Sequence, residues 1–379
     1  MDSLKNQQTP KFHTFGCKVN TYDTGLLESR LAAARLVTQG EQPKIHILNT
    51  CAVTAQATRE AERQIRRIKA KDPFAMIVVT GCAAQVDTDQ FAEMRGVDLI
   101  VANSHKGELE TIIKKYLVGE SRERVFKSNI FKKLELEAGG GQEKEHTRAF
   151  LKVQDGCNSF CTYCVIPFAR GKSRSISIRD LVLKVNQLYD QGVKEVVITG
   201  IHIGDYESDG EPLEALMEAL LGKTKMPRFR ISSLEPPEIT DRLLDLYKDS
   251  RMCPHFHMSI QSANDSVLKD MKRNYLAQDV EDVLNRLDEA VPGVFIGMDV
   301  IVGFPGETEE QFQDTVERLM RTPWSRLHVF PYSERQGTYA VRLPHKVNGA
   351  EIAHRAKELR RLSEIRYQQE VMKQIGTTK

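Results

Sequence analysis

The stretch "DGCNSFCTYCVIPFARGKSRS", Asp155 to Ser175, packs Cys157, Cys161 and Cys164 into eight residues and then turns basic. A structural zinc site takes four ligands, usually from two paired Cys-x-x-Cys units. Here one compact C-x3-C-x2-C stands without a fourth Cys or His nearby. Thiolates are soft ligands that select zinc, cuprous copper or iron–sulfur clusters. A cluster that only carries electrons normally has all its irons held by protein. Three thiolates on a four-iron cube leave one iron open to a substrate or cofactor.

Working outward, six strand candidates accompany this loop: "AFLKVQ", "EVVITG", "RFRISS", "HFHMSI", "VFIGMDVIVG" and "RLHVFPY". Helical stretches separate them. Eight such units close a TIM barrel; six predict an α/β domain with an open, partial barrel over residues 149–345. Chemistry in such folds sits at the carboxyl ends of the strands, and the segments there are polar or glycine-rich, as in "TGIHIGDY", "SSLEPPE" and "VGFPGET". Residues 346–379 begin a long charged helix, "GAEIAHRAKELRRLSEIRYQQEVMKQ", whose charges are expected on a solvated face.

Upstream, residues 11–118 alternate short β-branched runs with amphipathic stretches. "KFHTFG", "KIHILNT", "AMIVVTG" and "VDLIVAN" read as strands. "YDTGLLESRLAAARL" and "AQATREAERQIRRIKA" read as helices, the second capped by Thr54. The alternation predicts a parallel sheet covered by helices. Cys17 follows the first strand, Cys51 the second and Cys82 the third. Parallel strands end at one edge, where ligands usually bind, so these residues form a second candidate metal-ligating set. Three buried thiols are the alternative, which cysteines inside the strands would suit better. Residues 119–148 end in "LEAGGGQEKEHTR" and read as a linker.

Composition bounds these readings. At 379 residues the chain exceeds one ordinary core, and 40% hydrophobic with 28% charged residues suits a soluble globular protein. The net charge of +2 points to no partner by itself. No apolar run approaches the roughly 18 residues of a membrane helix, and the N-terminus, "MDSLKNQQTPKF", lacks an apolar signal core. The default is therefore cytoplasmic, with no membrane partner. Thiols stay reduced there, so the seven cysteines read as metal ligands or packing residues rather than disulfides. Cys253 in "RMCPHF" reads as a packed thiol, and His255 and His257 as strand residues without a metal role.

The cysteine spacing, with the aromatic Tyr163 before the last Cys and six βα units, resembles the radical S-adenosylmethionine (SAM) superfamily. The likeness to its methylthiotransferases is closer. Their blocks stand here as "GCKVN", "NTCAVT", "TGCAAQ" and "QDGCNSFCTYCVIP", with "ISSLEP", "SIQS" and "VIVGFPGET" downstream. By this resemblance two 4Fe–4S clusters are expected. Cys17, Cys51 and Cys82 would hold an auxiliary one, and Cys157, Cys161 and Cys164 the SAM-cleaving one. "GCKVNTYDT" most resembles the MtaB branch, which places a methylthio group at C2 of threonylcarbamoyladenosine beside the tRNA anticodon; the isopentenyladenosine branch more often shows "GCQMN".

The resemblance implies SAM contacts at the strand-end residues Thr199, Gly200, Ser232, Gln261 and Gly303. Each is equally a candidate turn or barrel-layer residue, as is His202. It also implies an electron donor such as flavodoxin or ferredoxin, while the sulfur donor stays open. Two basic stretches are candidate contacts to the tRNA anticodon stem-loop: Arg170, Lys172 and Arg174 beside the cluster loop, and Arg63, Arg66, Arg67, Lys69 and Lys71 on a helix that reads equally as a solvated face. Methylthiotransferases usually carry a C-terminal TRAM β-barrel, and the chain stops at "KQIGTTK", about where that module is expected to begin. Two other readings stay open: modification of another tRNA base or of a ribosomal-protein aspartate, and a non-catalytic iron–sulfur or zinc-binding module.

Overall fold

The computed structural model describes residues 9–34, 36, 43–134, 136 and 147–376. They form two compact units. The first runs to Asn158 and includes Cys164–Ile176; the second takes Ser159–Tyr163 and continues from Ser177.

In the first unit β1 (Lys11–Thr14), β2 (Ile45–Thr50), β3 (Met76–Gly81), β4 (Leu99–Ala102) and β5 (Val125–Phe126) form a parallel sheet in sequential order. Between them run α1 (Lys18–Ala33), α2 (Ala55–Lys71), α3 (Cys82–Val86), α4 (Thr88–Ala92) and α5 (Leu109–Leu117). Successive strand residues face opposite layers. Ile77 and Val79 of β3 accordingly pack on Ile65, Ala84 and Phe91, while Met76 and Val78 pack on Leu27, Leu31 and Ile113. Burial on both faces explains why β3 reads as an unbroken apolar run. The Thr54 hydroxyl caps α2 by accepting from the Ala57 N–H at 3.2 Å, as expected. Helix α1 starts before the predicted "YDTG" start, because Asn20 ties its first turn to the Phe15 and Thr50 carbonyls at 2.8 and 2.9 Å. Strand β5 and Ile130, which is buried, come from the stretch that reads as a linker and pack onto this unit. Residues 135 and 137–146 of that stretch lie outside the described residues. The unit ends in β6 (Ala149–Lys152), β7 (Gln154–Asp155), α6 (Ile166–Arg170) and β8 (Arg174–Ser175), with β7 and β8 antiparallel.

The second unit contains α7 (Ile178–Asp190), β9 (Val196–Thr199), the hairpin β10 (Glu207–Ser208) and β11 (Glu211–Pro212), α8 (Leu213–Lys223), β12 (Phe229–Ile231), β13 (Ser233–Leu234) and α9 (Asp241–Leu246). It continues through β14 (His255–Gln261), α10 (Asp265–Asp270), α11 (Ala277–Ala290), β15 (Phe295–Val302), α12 (Glu309–Arg321), β16 (Arg326–Pro331) and α13 (Gly349–Lys373). Strands β9 and β12 pair in parallel, and so do β13, β14, β15 and β16. All six strands predicted downstream are strands, and no closed barrel forms among the described residues.

Helix α13 keeps many of its charges exposed, among them Lys357, Arg360, Arg361 and Glu364, as expected, but it also has a buried side that includes one charge. Its Ala356, Leu359 and Ser363 are buried, and the Ser363 hydroxyl accepts from the Leu327 N–H of β16 at 2.9 Å. Arg355 is 0% exposed, pairs with Glu307 at 2.8 Å, Glu309 at 3.2 Å and Glu351, and lies over the Phe312 ring. A buried guanidinium persists only with such partners. Among the described residues no helix is long and apolar enough to cross a membrane.

Candidate cluster and cofactor sites

Strand register carries the first cysteine set. β1 aligns Thr14 with Asn49, and β2 aligns Thr50 with Gly81, so the three strands end level. Cys17 caps α1, Cys51 follows β2 and Cys82 opens α3. Two glycines let the loops close up. Gly16 has φ +91°, and a Cβ there would lie 2.6 Å from the Cys51 sulfur; Gly81 has φ +95°, and a Cβ would lie 2.4 Å from the Thr50 carbonyl oxygen. Any other residue would be strained in backbone and blocked in space. The Thr50 hydroxyl donates to the Thr80 carbonyl at 2.6 Å and accepts from the Ala84 N–H at 3.3 Å, locking the second loop to the third. The motif letters around each cysteine are thus the residues that hold the edge together.

Cys51 and Cys82 are buried, while Cys17 is exposed on one side. Burial, with the charge of Cys82 and Cys17 nearby, pushes the Cys51 thiol up to about 12. Packing around its sulfur also raises the Cys17 thiol, although Arg170 draws it down. Cys51 thus senses Cys82 and Cys17, and Cys17 senses Cys82, as members of one ligand set would. The Asn103 amide donates to the Cys82 sulfur at 3.7 Å and to the Ala169 carbonyl at 2.9 Å.

Beside these thiols lies a buried ionic network absent from the sequence reading. Arg170 holds both oxygens of Asp155 at 2.9 and 3.1 Å, Asp23 at 3.1 Å and the side-chain Oδ1 of Asn20 at 2.6 Å. Lys152 reaches Asp23 at 2.6 Å and Asp155 at 3.2 Å, and Lys106 reaches Asp23 at 3.1 Å. Burial alone would raise both carboxyls, but Lys106, Lys152 and Arg170 outweigh it at Asp23, and Arg170 and Lys152 outweigh it at Asp155, so both stay well below the usual carboxylate range. Three cations face two carboxylates, leaving positive charge in excess beside three potential thiolates. That electrostatics suits an anionic thiolate-ligated cluster.

The network corrects one expectation. The basic run suggests a phosphate contact at Arg170, but that side chain is 2% exposed and both of its terminal amino groups are bound, to Asp155, Asp23 and Asn20. Arg174 is half-buried and donates to the Lys133 and Arg170 carbonyls at 3.2 and 2.8 Å. Only Lys172 of the three is exposed. On α2, Arg63 pairs with Glu60, Arg66 with Glu62 and Lys69 with Asp98. Arg67, 3.9 Å from Glu60, and Lys71 also line an 840 Å³ groove with Lys11, Lys44 and the stacked His13 and His46.

In the second unit the expected cofactor contacts fall at strand ends. Thr199 closes β9 and Gly200 follows it, Ser232 follows β12, Gln261 closes β14 and Gly303 follows β15. Thr199 and Ser232 are buried. Gln261 has φ +62° beside a register shift in β14, a strained conformation of the kind that collects at functional sites. Gly303 has a packing reason as well, since a Cβ there would lie 2.3 Å from Ile352.

Cys161 belongs to this unit. Its segment is pinned by Thr162, whose N–H donates to the Met271 carbonyl at 3.1 Å and whose own carbonyl accepts from the Ala340 N–H at 2.8 Å. Arg273, which the sequence reading missed, donates to the Cys161 sulfur at 3.2 Å, to Tyr275 at 2.8 Å and to Glu235 at 2.7 Å. Burial disfavours its charge, but Tyr163, Tyr275 and Glu235 prevail and keep it a cation. Glu235 in turn lies 3.5 Å from His202, which also bonds Glu238 and lies 3.2 Å from the Ser159 hydroxyl. The available signal was Glu235 itself, which stands inside the "ISSLEP" block. Cys253 is buried, and His255 stacks on Phe295 while His257 pairs with Asp299 at 2.9 Å.

Comparison with known proteins matches residues 9–102 to the uncharacterized protein family UPF0004 and residues 151–319 to the radical SAM superfamily. The chain is 39% identical to the threonylcarbamoyladenosine tRNA methylthiotransferase MtaB of Aquifex aeolicus, over 96% of this chain and 90% of that one. It is 37% identical to the Bacillus subtilis MtaB, over 90% and 77% respectively. In fold it is similar to the radical SAM methyltransferase TsrM of Kitasatospora setae, with a TM-score of 0.57 at 15% identity over 83% of this chain and 65% of that one. The chain belongs to the MtaB family of radical SAM methylthiotransferases.

Proposed function

We propose that this chain replaces the C2 hydrogen of threonylcarbamoyladenosine, beside the tRNA anticodon, with a methylthio group. The observation that carries this reading is the meeting of Cys17, Cys51 and Cys82 at one sheet edge, in a chain that also holds the C-x3-C-x2-C loop. Cys17, Cys51 and Cys82 are assigned to an auxiliary 4Fe–4S cluster and Cys157, Cys161 and Cys164 to a second. When bound, the clusters and SAM supply reductive radical chemistry and sulfur, which no side chain of the protein provides.

The residues hold and tune. Asn103 and Arg170 place a hydrogen-bond donor and a positive charge against the first set. Arg273 places a charged N–H on Cys161, a bond that stabilises the more reduced cluster. Thr199, Gly200, Ser232 and Gln261 present their backbone and polar atoms at the strand ends for SAM. Lys172 and the groove of Lys11, Lys44 and Lys71, with Arg67 held only loosely by Glu60 at 3.9 Å, offer cations to RNA phosphates. A one-electron carrier such as flavodoxin or ferredoxin is the fitting electron donor.

The test is iron content and product. Anaerobically reconstituted protein should hold about eight irons, and about four when either cysteine set is changed to Ala. Incubation with SAM, reductant and tRNA bearing threonylcarbamoyladenosine should add a methylthio mass at that nucleoside. Full iron after loss of Cys17, Cys51 and Cys82 would overturn the assignment.

A further inference from the structure

We propose that a cavity between α1, β6 and α6 of the first unit binds a small monovalent inorganic anion, of the size of hydrosulfide or a halide. Its volume is about 70 Å³, enough for such an ion with a few waters. Lys106, Lys133, Lys152, Arg170 and Arg174 line it, against the carboxylates of Asp23 and Asp155. Arg30 also lines it and is matched by Glu110 at 3.0 Å. A four-iron cluster on three thiolates carries only about one net negative charge, so the wall keeps unmet cations even with the cluster bound. Buried cations without counter-charge are costly, and an anion removes that cost.

Two donors point to the same need. The Nε–H groups of Arg170 and Arg174 are buried and have no acceptor among the described residues, although both side chains line the cavity. Natural proteins rarely leave buried donors unpaired. Burial, together with repulsion from Lys106 and Arg174, brings the Lys133 amine down to about 8, the direction an excess of neighbouring cations imposes. The two wall carboxylates and the small volume disfavour a multivalent oxyanion. Asn103 also lines the cavity while its amide donates to the Cys82 sulfur, so the anion would sit one side chain from that thiol. The identification with hydrosulfide, a sulfur reserve beside the auxiliary cysteines, rests on the proposed function; anion binding does not.

The probe is sodium bromide, added to the full iron-loaded chain at constant ionic strength with gluconate as the excluded bulky counter-ion. Bromide should raise the unfolding midpoint saturably, and bromide-soaked crystals should show an anomalous peak in the cavity. Lys133→Met should weaken that binding about tenfold or more, since one unit charge beside the ion is removed. Arg174→Gln serves as the second variant should the first fail to fold. Hydrosulfide that displaces bromide at a tenth of its concentration assigns a sulfur reserve, whereas equal competition assigns a structural counter-ion; both support the site. No cavity peak, or a bromide effect unchanged in both variants, overturns it. Neither result depends on iron content or methylthiolation, so failure here is distinguishable from failure of the assigned chemistry.

Discussion

Replacing Arg170 by Met tests whether this residue is an interior ion or an RNA contact. The side chain is 2% exposed and makes four short bonds, two to Asp155 and one each to Asp23 and Asn20. Its removal takes a cationic partner from two buried carboxylates. Asp155 keeps Lys152 at 3.2 Å, and Asp23 keeps Lys152 and Lys106, so neither is left without a cation. Breaking one member of a buried ionic network costs about 3–5 kcal/mol, and the retained lysines place the expectation near about 3. In a unit of this size that lowers the midpoint by about 6–12 °C. Arg170→Lys keeps the charge but loses the two-pronged grip on Asp155, and should cost about half as much. The only tryptophan, Trp324, lies in the other unit, so indole fluorescence would not report the loss. Hydrogen exchange of peptides from β2, β3 and α1 would. Exchange within about 0.5 kcal/mol of wild type, together with a shallower salt dependence of tRNA binding, would refute the network and restore Arg170 to the RNA surface.

Other outcomes follow from the same geometry. Gly16→Ala puts a methyl against the Cys51 sulfur and should cost about half of the reconstituted iron while the unit stays folded, read by iron assay and circular dichroism. Arg273→Met removes the N–H donor to Cys161; the potential of the SAM-cleaving cluster should fall and deoxyadenosine release should drop about 10–100-fold, whereas Arg273→Lys should recover part of both. Neutralising Lys11, Lys44, Arg67 and Lys71 together should flatten the salt dependence of tRNA affinity by about one ion for each phosphate these cations neutralise, measured by binding at two salt concentrations. Burial and His46 lower His13 to about 4, so the unfolded chain binds the proton first as pH falls below its ordinary 6.5. Stability of the first unit should therefore be full above pH 6.5 and decline toward about 4, and His13→Gln should flatten that decline in denaturant titrations at graded pH.

How much was legible in the sequence differs between elements. The strands of both units could be read because burial on one or two faces imposes a period of two or an unbroken apolar run, as in "AMIVVTG" and "HFHMSI". The cysteine sets could be read because a parallel sheet ends its strands at one edge, so three residues after three strands must meet. Their spacing in the second set is covalent and needs no fold at all. Helix α13 was legible in its length but not in its buried side, since Arg355 enters the interior only where Glu307 and Glu309 wait, far back along the chain.

Long-range pairing was what the sequence could not express. Arg170 stands among three basic residues in a short polar run, and Lys172 of that run is indeed exposed. Only the tertiary structure carries Asp23 from α1 and Asp155 from β7 to the Arg170 guanidinium and so changes a phosphate contact into an interior counter-ion. Arg273 likewise had no motif of its own, because its partners, Cys161 and Glu235, come from a loop and a strand end far away in sequence. Ligand identity is written in residue type and local spacing, which the sequence by itself determines. Charge balance depends on which ions are brought into one low-dielectric volume, and that is decided by tertiary packing alone.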